Sequence, residues 1–272
     1  MLDVERSKLS RCRRWGFFLA FFDNCLYAAC DFRCRCADLR CESSCRCIGQ
    51  HNNIALQLGS GFHTNQTFSG RCVKACAERG VSVLTVFAFS SENWNRPADE
   101  VSGLMELLAR AIGREVPQLA RDGIRVHFVG DRGGLSASMR AGLDQAEAQT
   151  GHCTRMVLNI CFNYGGRWDI AQAAASLAER GEAITEGSLN AAMAMAHVRD
   201  PDLLIRTGGE MRLSNFLLWQ SAYSELFFSD ELWPDFDEAA LDAAIAAYHA
   251  RERRFGLISE QLVHQPPALA RA

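Results

Sequence analysis

No run of apolar residues in this chain is long enough to span a bilayer. The nearest approach, Trp15-Gly-Phe-Phe-Leu-Ala-Phe-Phe22, follows a cluster of arginines and is cut short by Asp23 and Asn24, well below the roughly 20 residues that a transmembrane helix needs. It imitates the charged and apolar regions of a signal peptide, but no clean small-residue cleavage site follows. A basic surplus is lacking too: 29 Lys and Arg against 32 Asp and Glu leave a formal net charge of -3. Such a chain offers no general field to a nucleic-acid backbone, so nucleic acid is not an expected partner and any anion must be held by local arginines. Internal repeats are missing, as is any linker rich in proline, glycine or serine beyond residue 71, which argues against an array or a further domain there.

Paired C-x2-C knuckles, the usual scaffold of small zinc modules, do not occur, although cysteine itself is plentiful. Eight of the twelve cysteines (Cys12, Cys25, Cys30, Cys34, Cys36, Cys41, Cys45 and Cys47) precede residue 50. The spacing Cys34-x-Cys36-x4-Cys41-x3-Cys45-x-Cys47 could present thiolates to a soft metal, or it could be a biased segment of free thiols. The rest of the chain carries only four cysteines and reads as a reduced, cytoplasmic α/β domain. The expected organisation is an atypical Cys- and Arg-rich segment over residues 1–70, either disordered or the product of a shifted reading frame or gene boundary. A folded domain over residues 71–256 and a C-terminal tail over residues 257–272 follow.

From residue 71 the chain alternates. Arg71 to Arg79 has helical spacing and stops at Gly80, and Val81 to Phe89 is the continuous apolar run of a buried strand. Pro97 suits a first helical turn, and Val101, Leu104, Met105, Leu107, Leu108 and Ile112 form the stripe of a helix reaching Arg121. Further strands are expected at Ile124 to Val129, Met156 to Phe162, Asp202 to Ile205, Leu217 to Trp219 and Glu225 to Phe228. Helices are expected at Leu135 to Gln149, Arg167 to Arg180, Leu189 to His197 and Glu238 to Arg253. This alternation predicts an α/β fold, a mainly parallel sheet flanked by helices. Open parallel sheets bind ligands at the carboxyl ends of their strands, so the loops beginning at Phe89, Gly130, Asn163 and Arg206 should share one rim.

The residues on that rim carry chemistry. Arg206-Thr-Gly-Gly-Glu210 followed by Met-Arg212-Leu-Ser214 places two guanidinium groups and a hydroxyl around a glycine pair, a composition suited to a diphosphate. It also suits a tight turn whose arginine pairs with a structural carboxylate. Glu225, at an expected strand, could hold a hard cation such as Mg2+ beside diphosphate oxygens or pair with a neighbouring arginine. Phe89-Ser-Ser-Glu-Asn-Trp-Asn-Arg-Pro97 sets polar tips on an apolar wall, as a hydrocarbon with a charged head requires, while Ser91 or Glu92 could instead cap the helix after Pro97.

Taken in order, Phe89 to Pro97, Val129-Gly-Asp131, Leu158-Asn-Ile-Cys-Phe-Asn-Tyr-Gly-Gly166, Asp202 to Glu210, Ser214-Asn-Phe-Leu-Leu-Trp-Gln220, Leu232-Trp-Pro-Asp-Phe236 and Arg251-Glu-Arg-Arg-Phe-Gly256 resemble the cis-prenyltransferase family, most closely its bacterial undecaprenyl diphosphate synthases. The resemblance implies the cis-prenyltransferase fold and a transferase that condenses isopentenyl diphosphate with an allylic diphosphate such as farnesyl diphosphate, each new double bond being cis, with Mg2+ assisting diphosphate departure. It implies that Arg206, Arg212, Leu213 and Ser214 bind substrate, that Ser90, Ser91, Glu92, Trp94 and Arg96 face it, and that Asn93 takes the position of proton removal. Glu225 is implied as a Mg2+ ligand, and Arg254 and Gly256 as the residues that reach the diphosphate site across a homodimer interface. Membrane contact is implied only peripherally, through a lipid product.

The family opens with a strand leading into Asp-Gly-Asn-Gly-Arg-Trp, whose aspartate serves Mg2+ and diphosphate departure, and continues to a Gly-His-Arg run. Neither motif occurs here; Asp23-Asn24 and Gly61-Phe-His63 lack the strand, glycine turn and helix in the required order. Met211 stands where the family often has a histidine. The expectation is a sheet missing its first strand together with the Asp-Gly-Asn loop, and a transferase impaired in this chain. The alternatives are a noncatalytic partner subunit of a heteromeric cis-prenyltransferase, or a metal- or redox-responsive segment fused to a prenyltransferase remnant.

Overall fold

The computed structural model of the chain describes residues 52–57, 70–233 and 235–251. The cysteine-rich N-terminal segment, Gly61-Phe-His63, Arg254, Gly256 and the C-terminal tail lie outside the described residues. Six strands, β1 (Asn52–Gln57), β2 (Val81–Ser90), β3 (Ile124–Val129), β4 (Met156–Tyr164), β5 (Leu203–Arg206) and β6 (Glu225–Phe228), form one sheet in the order β3-β4-β2-β1-β5-β6. Every pairing is parallel, as the strand and helix alternation predicts. The helices are α1 (Gly70–Glu78), α2 (Ala98–Arg121), α3 (Ala137–Thr150), α4 (Gly166–Glu179), α5 (Glu186–Ala192) and α6 (Glu238–His249).

The expectation of a missing first strand is corrected by β1, which lies inside the sheet, hydrogen-bonded to β2 on one side and β5 on the other. Its sequence, Asn-Asn-Ile-Ala-Leu-Gln, hides it: three apolar residues between amides are too few to show a period. Ile54, Ala55 and Leu56 are nevertheless buried, as a parallel strand covered on both faces must be. The flanking amides are fastened to distant backbone. Asn53 N donates to Asp202 Oδ2 at 3.0 Å, Asn53 Nδ2 donates to Arg199 O, and Gln57 Nε2 donates to Leu213 O at 2.8 Å.

Side-chain alternation divides the sheet into two packed faces. Ile54, Leu56, Val126 and Ile205 belong to a core that also takes in Val73, Val116, Leu143 and Leu241 from α1, α2, α3 and α6. Ala55, Phe87, Tyr164 and Leu204 belong to the other, with Phe216 and Leu217. Two local readings change. Leu217 to Trp219 is a bend and turn rather than a strand: Leu217 is buried, Leu218 and Trp219 are half-buried, and Leu217 has φ 43°, a left-handed angle outside the extended region. The helix expected at Leu189 to His197 begins earlier, where Thr185 and Ser188 form a reciprocal capping box, and ends sooner, at Met193, whose backbone is extended.

At the end of β3 the backbone crosses close to the end of β4. Gly130 has φ 144°, and a Cβ there would lie 1.9 Å from Phe162 O. Gly130→Ala is therefore expected to destabilise the fold by at least about 2 kcal/mol, combining a rare backbone angle with a displaced strand end. Urea denaturation checks this, and unchanged midpoints would contradict it. Among the described residues, no helix is long and apolar enough to cross a membrane.

Candidate functional site

The loops expected to share one rim do meet there. Trp94 Nε1 donates to Asn163 Oδ1 at 2.7 Å, Asn163 Nδ2 donates to Asp131 O at 2.7 Å, and Asn215 Nδ2 donates to Glu92 Oε1 at 2.5 Å. These three bonds tie the end of β4 to the segments that follow β2, β3 and β5.

The first wall grows out of β2. Ser90 caps the 3-10 turn Ser91–Asn95: its Oγ accepts from Glu92 N at 3.2 Å, and its own N–H donates to Asn93 Oδ1 at 2.7 Å. The capping role considered for Ser91 or Glu92 thus falls to Ser90, one turn earlier, and Pro97 precedes α2 without a side-chain cap. Trp94 is 41% exposed and stands edge-on to Phe89 with ring centroids 5.2 Å apart, an apolar surface with its N–H already satisfied. Arg96 pairs with Glu100 at 2.7 Å. Burial works to raise the Glu92 carboxyl, but hydrogen bonds from Ser90 and Asn215 and the Arg167 charge outweigh it and hold it below its usual range.

The second wall grows out of β5. Arg206 is 4% exposed, and a buried guanidinium must be met by acceptors. Its Nη1 donates to Arg212 O at 2.7 Å and to Ser214 Oγ at 2.9 Å, and its Nη2 donates to Glu210. Glu210 also accepts from the exposed guanidinium of Arg212. Burial pushes the Glu210 carboxyl up, yet Arg206 and Arg212 more than offset this and keep it low. The segment is a tight turn with an arginine–carboxylate pair, and two guanidinium groups and the Ser214 hydroxyl lie together in it. The turn carries left-handed backbone at Ser214 (φ 43°), Asn215 (φ 62°) and Leu217 (φ 43°).

Asn215 joins the walls. Besides its bond to Glu92, its Oδ1 accepts from Arg167 N at 2.9 Å and its backbone carbonyl accepts from Gly166 N at 2.7 Å. Gly165 permits this approach, since a Cβ there would meet Asn215 Nδ2 at 2.6 Å and Ser91 Oγ at 2.7 Å. Sequence reasoning passed over Asn163, Asn215 and Gln57 as site residues. Asn215 follows Ser214 in the motif and was within reach; the other two carry no local signal of their partners.

Glu225 does not join the group. It pairs in register with Leu203, three residues before Arg206, about 10 Å along the strand, and alternation turns it to the opposite face. There its Oε2 meets Arg251 Nη1 at 2.6 Å, the ion pair weighed against metal binding. The described residues do not fit Mg2+ as arranged: the Glu225 carboxylate is engaged by a guanidinium, β1 ends in the amide Gln57, and among the described residues no group of three or more His, Cys, Asp or Glu side chains is placed to hold a metal ion.

The family profile described as "Putative undecaprenyl diphosphate synthase" matches residues 52–256, beginning at β1. An isoprenyl transferase of Neisseria gonorrhoeae is 53% identical over 191 residues, covering 70% of this chain and 77% of that protein. The ditrans,polycis-undecaprenyl-diphosphate synthase ((2E,6E)-farnesyl-diphosphate specific) of Pseudomonas aeruginosa is 51% identical over 197 residues, covering 70% of this chain and 78% of that protein. The crystal structure of a probable undecaprenyl diphosphate synthase from Campylobacter jejuni aligns with a TM-score of 0.70 at 32% identity, over 76% of this chain and 98% of that one. Lavandulyl diphosphate synthase from Lavandula x intermedia, in complex with dimethylallyl diphosphate, aligns with a TM-score of 0.70 at 30% identity, over 75% and 98%. With the parallel sheet and the ordered motifs on its rim, these matches establish that the chain belongs to the undecaprenyl diphosphate synthase family of cis-prenyltransferases.

Proposed function

We propose that this chain joins isopentenyl diphosphate to an allylic diphosphate such as farnesyl diphosphate, giving a cis-polyprenyl diphosphate, and that it does so slowly. The observation that carries the reading is the meeting, through Asn215 and Glu92, of the Arg206–Ser214 turn with the Ser90–Arg96 wall. The diphosphate of isopentenyl diphosphate takes Arg206, Arg212 and the Ser214 hydroxyl, displacing Glu210 from the guanidinium groups. The hydrocarbon lies against the exposed ring of Trp94. In the condensation the alkene electrons of isopentenyl diphosphate form a bond to the allylic carbon as its bond to diphosphate breaks, and a proton then leaves the new skeleton. Holding both reactants removes much of the entropic cost of their encounter, and the arginines stabilise negative charge.

Two features support slow turnover. Where the family's first strand leads into an aspartate, β1 leads from Gln57 into Leu58, and Glu225 is held by Arg251. Proton removal, which the resemblance gives to Asn93, is a role shared with the family and does not separate this chain from it; the Asn93 amide oxygen accepts from Ser90 N at 2.7 Å. A homodimer, a cytoplasmic location and peripheral membrane contact complete the reading by resemblance.

The test is incorporation of labelled isopentenyl diphosphate into extractable lipid in the presence of farnesyl diphosphate and Mg2+, with the Neisseria gonorrhoeae isoprenyl transferase assayed alongside. Incorporation slower by about a hundredfold or more is expected, the usual scale for a lost transition-state contact. Equal rates would overturn the slow-turnover reading. Binding with no incorporation at all would favour a noncatalytic partner subunit, for which the same two features speak.

A further inference from the structure

We infer that Gln57 is a positioning residue for the diphosphate turn: from the centre of the sheet, its amide fixes the Leu213 carbonyl and so the presentation of Arg212 and Ser214. The inference rests on the proposed reading of that turn as the diphosphate site. Gln57 and Arg206 are register partners at the ends of β1 and β5. Alternation places both on the face of Ala55 and Leu204, beneath Phe216 and Leu217. Both are almost fully buried, at 3% and 4% exposure.

Between them they hold three consecutive residues. Arg206 donates to Arg212 O and Ser214 Oγ, while Gln57 Nε2 donates to Leu213 O at 2.8 Å. Such holding is needed, because left-handed backbone at Ser214 and Asn215 persists only where the surroundings over-determine it. The arrangement also carries a cost. Gln57 Oε1 and Arg206 Nε are buried without a hydrogen-bond partner among the described residues, and an interior position of a parallel sheet is ordinarily apolar. An amide there is accounted for by what its N–H group holds.

Two variants test the inference. Gln57→Met keeps the length and removes both polar atoms without adding charge; Gln57→Leu removes them in a shorter, branched side chain. Binding of inorganic diphosphate by calorimetry is expected to weaken about tenfold in each, the scale of one lost buried hydrogen bond. Amide hydrogen exchange across residues 212–217 is expected to quicken in each, with the rest of the sheet unchanged. Wild-type affinity and wild-type exchange in a folded variant would overturn the inference, even if its melting temperature fell. If the folded wild-type chain itself binds no diphosphate, the functional reading fails, while the exchange result still decides whether Gln57 fixes the turn.

Discussion

Arg206→Ala is expected to weaken isopentenyl diphosphate binding by about a hundredfold or more. A guanidinium donates to a diphosphate through two parallel charge-assisted hydrogen bonds, each of about 1.5–3 kcal/mol, so losing the fork forfeits roughly 3–6 kcal/mol, or about two to four powers of ten in affinity. The loss is compounded because Arg206 also holds Arg212 O and Ser214 Oγ and shares Glu210 with Arg212. Without it the turn loses its anchor from β5, and Glu210 is left to compete for the one remaining guanidinium. Arg206→Lys retains the charge but not the planar fork, and should recover only part of the affinity. Calorimetric titration well below each protein's unfolding midpoint is the measurement, and wild-type affinity in Arg206→Ala would sink the assignment of the turn.

The second large effect is on stability and comes from a residue behind the site. Asp169 is completely buried on α4 and accepts four hydrogen bonds. Tyr164 OH and Gln220 Nε2 donate to Oδ2 at 2.9 and 3.0 Å; Gln172 Nε2 and Ala194 N donate to Oδ1 at 3.1 and 2.7 Å. These donors come from β4, from the chain just after the Ser214 turn, from α4 itself and from the segment after α5. Burial and the neighbouring Asp169 charge both push the Tyr164 hydroxyl up, keeping it protonated and donating. Asp169→Ala strands two buried donors, Tyr164 OH and Gln220 Nε2, at about 1–3 kcal/mol each before relaxation, and weakens two part-buried ones, so the expected net loss is about 3–5 kcal/mol. For a domain of this size that lowers the melting temperature by roughly 10 °C. Asp169→Asn retains one acceptor and should lose less. A change of under about 1 kcal/mol in Asp169→Ala by urea unfolding would show that the hub is not structural.

Much of this architecture was legible because its signals are local. The apolar run of β2, the stripe of α2 and the glycine pair after Arg206 each declare themselves within ten residues or so, and the shared rim follows from parallel strands alone. What escaped depends on partners far along the chain. β1 is recognisable only once β2 and β5 are set on either side of it, because its ends are amides whose acceptors lie at Arg199 and Leu213. Leu217 to Trp219 looks like a strand because an apolar turn packed against the sheet and a strand carry the same residue types. Glu225 was expected beside a diphosphate on the strength of its position in the sequence, but strand register sets it level with Leu203 and away from the rim. Asn215 finds Glu92 across 123 positions, and nothing near either residue announces the other.

On the proposed reading, the turn from Arg206 to Ser214 is a working isopentenyl diphosphate site on a family member whose first strand, β1, ends in the amide Gln57. Equilibrium titration of the wild-type chain with isopentenyl diphosphate, in the absence of added metal, tests it most directly. One saturable site per chain, lost on Arg206→Ala, is the predicted result. A cooperatively folded wild-type chain that takes up no isopentenyl diphosphate would contradict it.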